Sequence, residues 1–89
     1  MQIQHKEGRF FIEINGKHAI LDYALEGKEM DIFHTFTDEE LRGRGLAEKL
    51  ALAAFDHAKK NGLRVKPTCD YIQEFVKKHP EYVNITEQW

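Results

Sequence analysis

Cys69 is the single cysteine of the chain, set between Pro67-Thr68 and Asp70-Tyr71. The thiolate is the reactive form of a thiol, and a helix N-terminus lowers the pKa that governs its formation. A sulfur so placed is a candidate nucleophile. The alternative is a buried, inert cysteine behaving as a small apolar residue, and Asp70 opposes thiolate formation if it points at the sulfur. His34 is the second candidate. It interrupts the apolar set Met30, Ile32 and Phe36, and imidazole suits proton removal from an amine or a thiol near neutral pH. Its alternative is a histidine hydrogen-bonded at a sheet margin. Cys69 and His34 are therefore the catalytic candidates.

The third feature is the loop Leu41-Arg42-Gly43-Arg44-Gly45-Leu46-Ala47. Gly43 and Gly45 allow backbone angles closed to other residues and let a ligand approach the main chain. A helix that starts after Gly45 offers N–H groups with no partner inside the helix, and its dipole favours an anion there. Arg42 and Arg44 oppose that dipole unless a phosphate group lies between. The competing reading is a flexible turn whose arginines pair with Asp38, Glu39 or Glu40. The loop lacks the G-K-[ST] of a P-loop and the G-x-G-x-x-G of a dinucleotide site, which disfavours nucleotide hydrolysis and hydride transfer.

Several elements must hold these groups. Arg9–Ile14 reads as a strand, Asn15-Gly16 as a tight hairpin turn, and His18–Leu25 as the returning strand. After the turn Glu26-Gly27-Lys28, the segment Met30–Thr37 alternates. Period two places Met30, Ile32, His34 and Phe36 on one face and Asp31, Phe33, Thr35 and Thr37 on the other. A short strand near Ile3 extends the meander. Thr37-Asp38-Glu39-Glu40 is a capping-box pattern opening a single helical turn.

From Leu46 to about Lys60 the pattern is helical. Leu46, Ala47, Leu50, Ala51, Ala53, Ala54, Phe55 and Ala58 form a wide apolar arc, and Asn61-Gly62 ends the helix. Leu63–Thr68 is a strand in which Pro67 marks an edge or bulge. Asp70–His79 is a last helix stopped by Pro80. Its Tyr71 has core spacing, although a tyrosine there could also protonate a leaving thiolate. His79 reads as a dipole-favouring cap and His57 as a surface residue. The fold class is α+β: a mostly antiparallel sheet with a βαβ-type unit in the C-terminal half, as one domain over residues 1–89.

Composition narrows the function. Thirteen basic and fifteen acidic side chains give a net charge of -2, with no basic field for nucleic acid or anionic lipid. No apolar run is long enough for a membrane helix, and the first six residues lack the apolar core of a signal peptide. One cysteine and dispersed histidines imply no disulfide and no metal site. A lone thiol fits a reducing compartment, so a cytoplasmic location is expected, and a monomer.

Arg42-x-x-Gly45-x-Ala47 resembles the Q/R-x-x-G-x-G/A motif of the GNAT superfamily of N-acetyltransferases. Four segments in order (His34-Thr35, Arg42–Ala47, Pro67-Thr68-Cys69-x-Tyr71 and His79-Pro80-Glu81-Tyr82) are similar to a minimal, single-domain branch of it. The resemblance implies an acetyl-CoA site with the pyrophosphate on the backbone of Arg42, Gly43, Arg44, Gly45, Leu46 and Ala47. Pantetheine would lie beside Phe36 and Thr37, where the strand at His34 to Thr37 splays from the strand at Val65 to Thr68. The resemblance also implies an amine acceptor and places Cys69 by the acetyl end. The chain shows no counterpart of the N-terminal helix pair that often forms the acceptor pocket in larger members. That motivates a second reading, a CoA-binding module without turnover. A third is a protein-interaction domain with an incidental glycine loop.

Overall fold

In the computed structural model, which describes residues 2–87, five strands follow one another across a single sheet. They are β1 (Gln4–Lys6), β2 (Arg9–Ile14), β3 (Lys17–Glu26), β4 (Glu29–Thr37) and β5 (Arg64–Pro67). The first four pair antiparallel, and β4 pairs parallel with β5 through the crossover helix α1 (Leu46–Lys60). Helix α2 (Asp70–Lys78) follows β5, and 3-10 turns occupy Glu39–Leu41 and Pro80–Ile85. The α+β class and the βαβ unit expected from the sequence are both present. At the β2–β3 hairpin, Asn15 and Gly16 take φ of 51° and 77°. Both central residues are thus in the left-handed region that a type I′ turn requires.

The inner face of the sheet carries Phe10, Ile12, Ala19, Leu21, Tyr23, Met30 and Ile32, all buried. Helix α1 covers it with Leu46, Leu50, Ala51, Ala54, Phe55 and Ala58. The run of alanines lets the helix lie close to the sheet, so the core is filled mostly by strand side chains. Phe55 meets the Phe75 ring at 5.2 Å and the Tyr82 ring at 5.0 Å, which locks α2 and the last 3-10 turn onto α1. Burying side chains of this size contributes roughly 1.5–3 kcal/mol each.

The alternation expected for β4 does not survive. Asp22 pairs with His34, and the adjacent Tyr23 pairs with Ile32, so Phe33 is an extra residue on β4. Such a bulge reverses the facing of everything beyond it. Met30 and Ile32 face the core. Past the bulge Thr35, opposite buried Leu21, and Thr37, opposite buried Ala19, face that same side. His34 and Phe36 stand on the outer face, together with Asp22 and Ile20.

Two smaller differences have local causes. The Asp38 side chain does not cap the turn that follows it. It accepts instead from the His18 backbone N–H, tying the turn to β3. The C-terminal residues also reach back to the sheet: Thr86 bridges Val65, and the Glu87 N–H donates to the Val65 carbonyl at 2.8 Å. That contact, with Pro67, partly covers the β5 edge.

Tyr82 donates to Asp56 at 3.0 Å. Burial first, then this hydrogen bond and the Asp56 charge, push its pKa up to about 12. The folded chain therefore holds the phenol proton at pH values where the unfolded chain releases it, and stability falls as pH rises from about 10 to 12. Denaturant unfolding across that window should show the loss, and Tyr82→Phe should flatten it.

Candidate functional site

The parallel ladder between β4 and β5 stops at Ile32↔Pro67, while β4 runs on to Thr37 with β3 alone as its strand partner. At the point of divergence the Cys69 N–H donates to the Ile32 carbonyl at 3.0 Å. The chain then turns away into α2, with Cys69 as its N-cap residue. The gap so opened holds a cavity of about 350 Å³. Thr35, Phe36 and Thr37 form its strand wall, Arg42, Gly43 and Gly45 its loop, Leu46, Ala47 and Glu48 the first turn of α1, and Tyr71 the wall contributed by α2. Leu41, buried, forms part of its base.

Gly43 and Gly45 have φ of 82° and 72°, a region side chains disfavour. Gly45 is the N-cap of α1, and no side chain caps that terminus. The N–H groups of Leu46, Ala47 and Glu48 are thus left for a ligand, with the dipole of a fifteen-residue helix behind them. Arg42 turns its Nε to the Thr37 carbonyl at 3.0 Å, so it fixes the strand end to the loop. The alternative pairing with Asp38, Glu39 or Glu40 is not found. Among the described residues neither Arg42 nor Arg44 lies within ion-pair distance of an acid, and Glu40 pairs with Lys17. Arg44 is exposed beside the cavity and is not part of its lining.

Cys69 is half-buried, and its Sγ lies 3.6 Å from the Thr35 hydroxyl. Thr35 lines the cavity, so the sulfur sits just behind the strand wall. His34 does not join it. The Phe33 bulge puts its side chain on the outer face across from Asp22, which is held by Arg9 at 2.6 Å. The structure therefore does not bring His34 and Cys69 together on one face of the sheet. A role toward an acceptor on the outer face is untouched. Phe36 reaches the cavity at the strand edge, with its ring opposite Ile20 on the outer face.

Three residues gain importance from the structure. Tyr71, expected in the core, is 37% exposed and forms the cavity wall, whereas Ile72, Phe75 and Val76 are the buried residues of α2. Burial, then the Glu48 charge, then Cys69 raise its pKa above the ordinary tyrosine value, so the phenol keeps its proton to higher pH than a free tyrosine. Thr35 supplies the polar contact to the sulfur. Glu48 lines the cavity and meets His79 Nε2 at 3.1 Å. Threonines at alternate positions 35 and 37, flanking Phe36 at the end of β4, are the signal that could have marked this wall. His79 is indeed the C-cap residue of α2, as expected. His57 is half-buried rather than superficial, edge-on to His5 at 4.7 Å. Among the described residues no group of three or more His, Cys, Asp or Glu could hold a metal ion, and no helix is long and apolar enough to cross a membrane.

An antiparallel sheet splayed from a parallel last strand, with an uncapped helix start in the gap, is the arrangement expected from the resemblance to the GNAT superfamily. Residues 9–85 match the family model described as GCN5-related N-acetyl-transferase, and the chain belongs to that family. It is similar to Protein NATD1 of Danio rerio, 41% identical over 90 residues, covering 93% of this chain and 82% of that one. Protein NATD1 of Bos taurus is 41% identical over 85 residues, covering 90% and 75%. A GCN5-like protein from Staphylococcus aureus, solved by NMR in solution, superimposes with a TM-score of 0.80 at 27% identity, covering 99% of this chain and 89% of that one.

The Glu48 charge beside Tyr71 has a measurable consequence. In the free protein the Tyr71 ring should titrate above the ordinary tyrosine range, and Glu48→Gln should lower that midpoint. Ring carbon shifts of labelled tyrosine, followed by NMR against pH, report it; an unchanged midpoint would remove Glu48 from the account.

Proposed function

We propose that this chain binds acetyl-CoA in the cavity between β4 and α1 and transfers the acetyl group to an amine. Family membership supports an acetyl-CoA-dependent acyltransferase in general. The observation that carries the particular reading is the uncapped start of α1 opening into a cavity whose other end lies at Tyr71 and Thr35.

The diphosphate rests on the N–H groups following Gly45, with Gly43, Gly45, Leu46 and Ala47 forming the cradle and Arg42 and Arg44 adding positive charge. Pantetheine runs along the edge of β4 at Phe36 and Thr37. The thioester then reaches the region of Thr35, Tyr71 and Cys69. The Cys69 thiolate attacks the acetyl carbon; a carbon–sulfur bond forms to Cys69, and the bond to the CoA sulfur breaks. Cys69 enters as the thiolate, its proton released to solvent; the departing CoA thiolate takes a proton from Tyr71, and solvent reprotonates that phenolate before the next turnover. An amine in its free-base form next attacks the acetyl-cysteine, forming the amide and releasing the Cys69 thiolate. His34, on the outer face, takes the proton from an amine that approaches through the splay from that side.

A second reading has an observation of its own. His34 and Cys69 stand on opposite faces, so His34 does not serve the thiol as its base. That favours a CoA-binding module that does not turn over.

Intact-mass analysis after incubation with labelled acetyl-CoA separates the two. An added acetyl mass on the wild type, absent from Cys69→Ala, supports the covalent route. CoA binding with no label on Cys69 or on any amine offered supports the module. Titration with CoA tests the cradle. Gly45→Asp introduces a negative charge where the diphosphate belongs, and aspartate tolerates the left-handed φ better than most residues. Affinity should fall roughly tenfold or more while the melting temperature changes little. Equal binding by that variant would remove the loop from the mechanism.

A further inference from the structure

The segment His79-Pro80-Glu81-Tyr82 ends α2 and, through Tyr82, packs the last turn on α1. Its histidine is placed to do more. His79 Nε2 reaches Glu48 Oε2 at 3.1 Å, and Nδ1 lies 3.5 Å from Glu81 Oε2. The ring stacks on Phe75 at 4.2 Å and 26°, with the Tyr82 ring 6.5 Å away. The imidazole is thus fixed on a buried aromatic and faces acids from α1 and from the last 3-10 turn. Protonated, it forms an ion pair with Glu48; neutral, it can still donate one N–H to it.

Glu48 is the third residue of α1, counted after the N-cap Gly45. A glutamate at that position is the one that folds back onto the N-cap backbone N–H in a capping box. The dipole of α1 draws it the same way. A carboxylate so placed would take the Gly45 N–H at the edge of the diphosphate cradle and set like charges against each other. In this structure α1 has no side-chain cap, and the Glu48 carboxylate is turned to His79 instead.

We propose that His79 is a positioning residue that holds the Glu48 carboxylate off the start of α1, keeping the cradle open for the diphosphate of CoA. This rests on the CoA-binding reading above. His79 touches no reacting atom; it acts on the ligand through Glu48.

The test is a double-mutant cycle read by CoA titration of the whole chain, with no turnover required. His79→Gln should weaken CoA binding about threefold to fivefold, the range expected of one exposed charge at a helix start. Glu48→Gln should bind somewhat tighter than wild type, having lost the competing charge. In the Glu48→Gln background, His79→Gln should have almost no further effect. Equal weakening by His79→Gln in both backgrounds, or weaker binding by Glu48→Gln alone, overturns the proposal and leaves His79 as a prop for α2. Wild type that fails to bind CoA overturns the CoA reading itself, and this inference with it. The two failures are therefore told apart by the wild-type titration.

Discussion

The parallel ladder between β4 and β5 is allowed only four residue pairs, from Glu29↔Arg64 to Ile32↔Pro67. Everything functional follows from its ending there. Pro67 has no backbone N–H to continue the ladder. The Cys69 N–H takes the Ile32 carbonyl as the strands part. Beyond that bond β5 becomes helix, and β4 goes on unescorted. The space between has to be walled by whatever the next elements present: a glycine-bounded helix start on one side and the first turn of α2 on the other. A sheet that kept pairing to Thr37 would have no cavity.

The electrostatics of this gap are arranged by helix termini more than by side-chain charge. Two helices start next to it, α1 after Gly45 and α2 after Cys69, and neither has a side-chain cap. The first N–H groups of α1 open into the cavity, while α2 contributes Tyr71 to its wall. The nearby arginines do not neutralise acids. One of them, Arg42, is committed by its Nε to the Thr37 carbonyl, joining the end of the strand wall to the loop. The cavity is thus polar at its helix ends and held rigid at its strand end.

Much of this was legible in the residues. Asn15-Gly16, the glycine loop, the alanine-rich helix and Pro80 each have one strong local meaning, and the elements they bound fall within one or two residues of expectation. The loop's role as an uncapped helix start was readable too, since glycine at an N-cap leaves the amides free. The facing of β4 was not. Alternation predicts His34 inward, because nothing local in Ile32-Phe33-His34 announces an extra residue. The bulge is selected by the whole sheet, which puts Met30 and Ile32 over α1 and also puts two threonines against a polar cavity. Tyr71 was misjudged for a related reason. Core spacing on a helix shows which residues share a stripe, but not which end of the stripe overhangs a gap. Glu48 and His79, thirty-one residues apart, meet only through the docking of α2 on α1.

The bulge at Phe33 has a further bearing on how such a site can arise or vanish. Were Phe33 paired in the ladder rather than bulged, alternation would run on unbroken, turning Thr35 and Thr37 outward and bringing His34 and Phe36 in over the helices. The hydrophobic sheet would be as well patterned as before, and the recess would be plugged by an aromatic ring. Whether one backbone unit is paired or bulged, more than the identity of any side chain, separates a plain structural sheet from one that can receive a ligand.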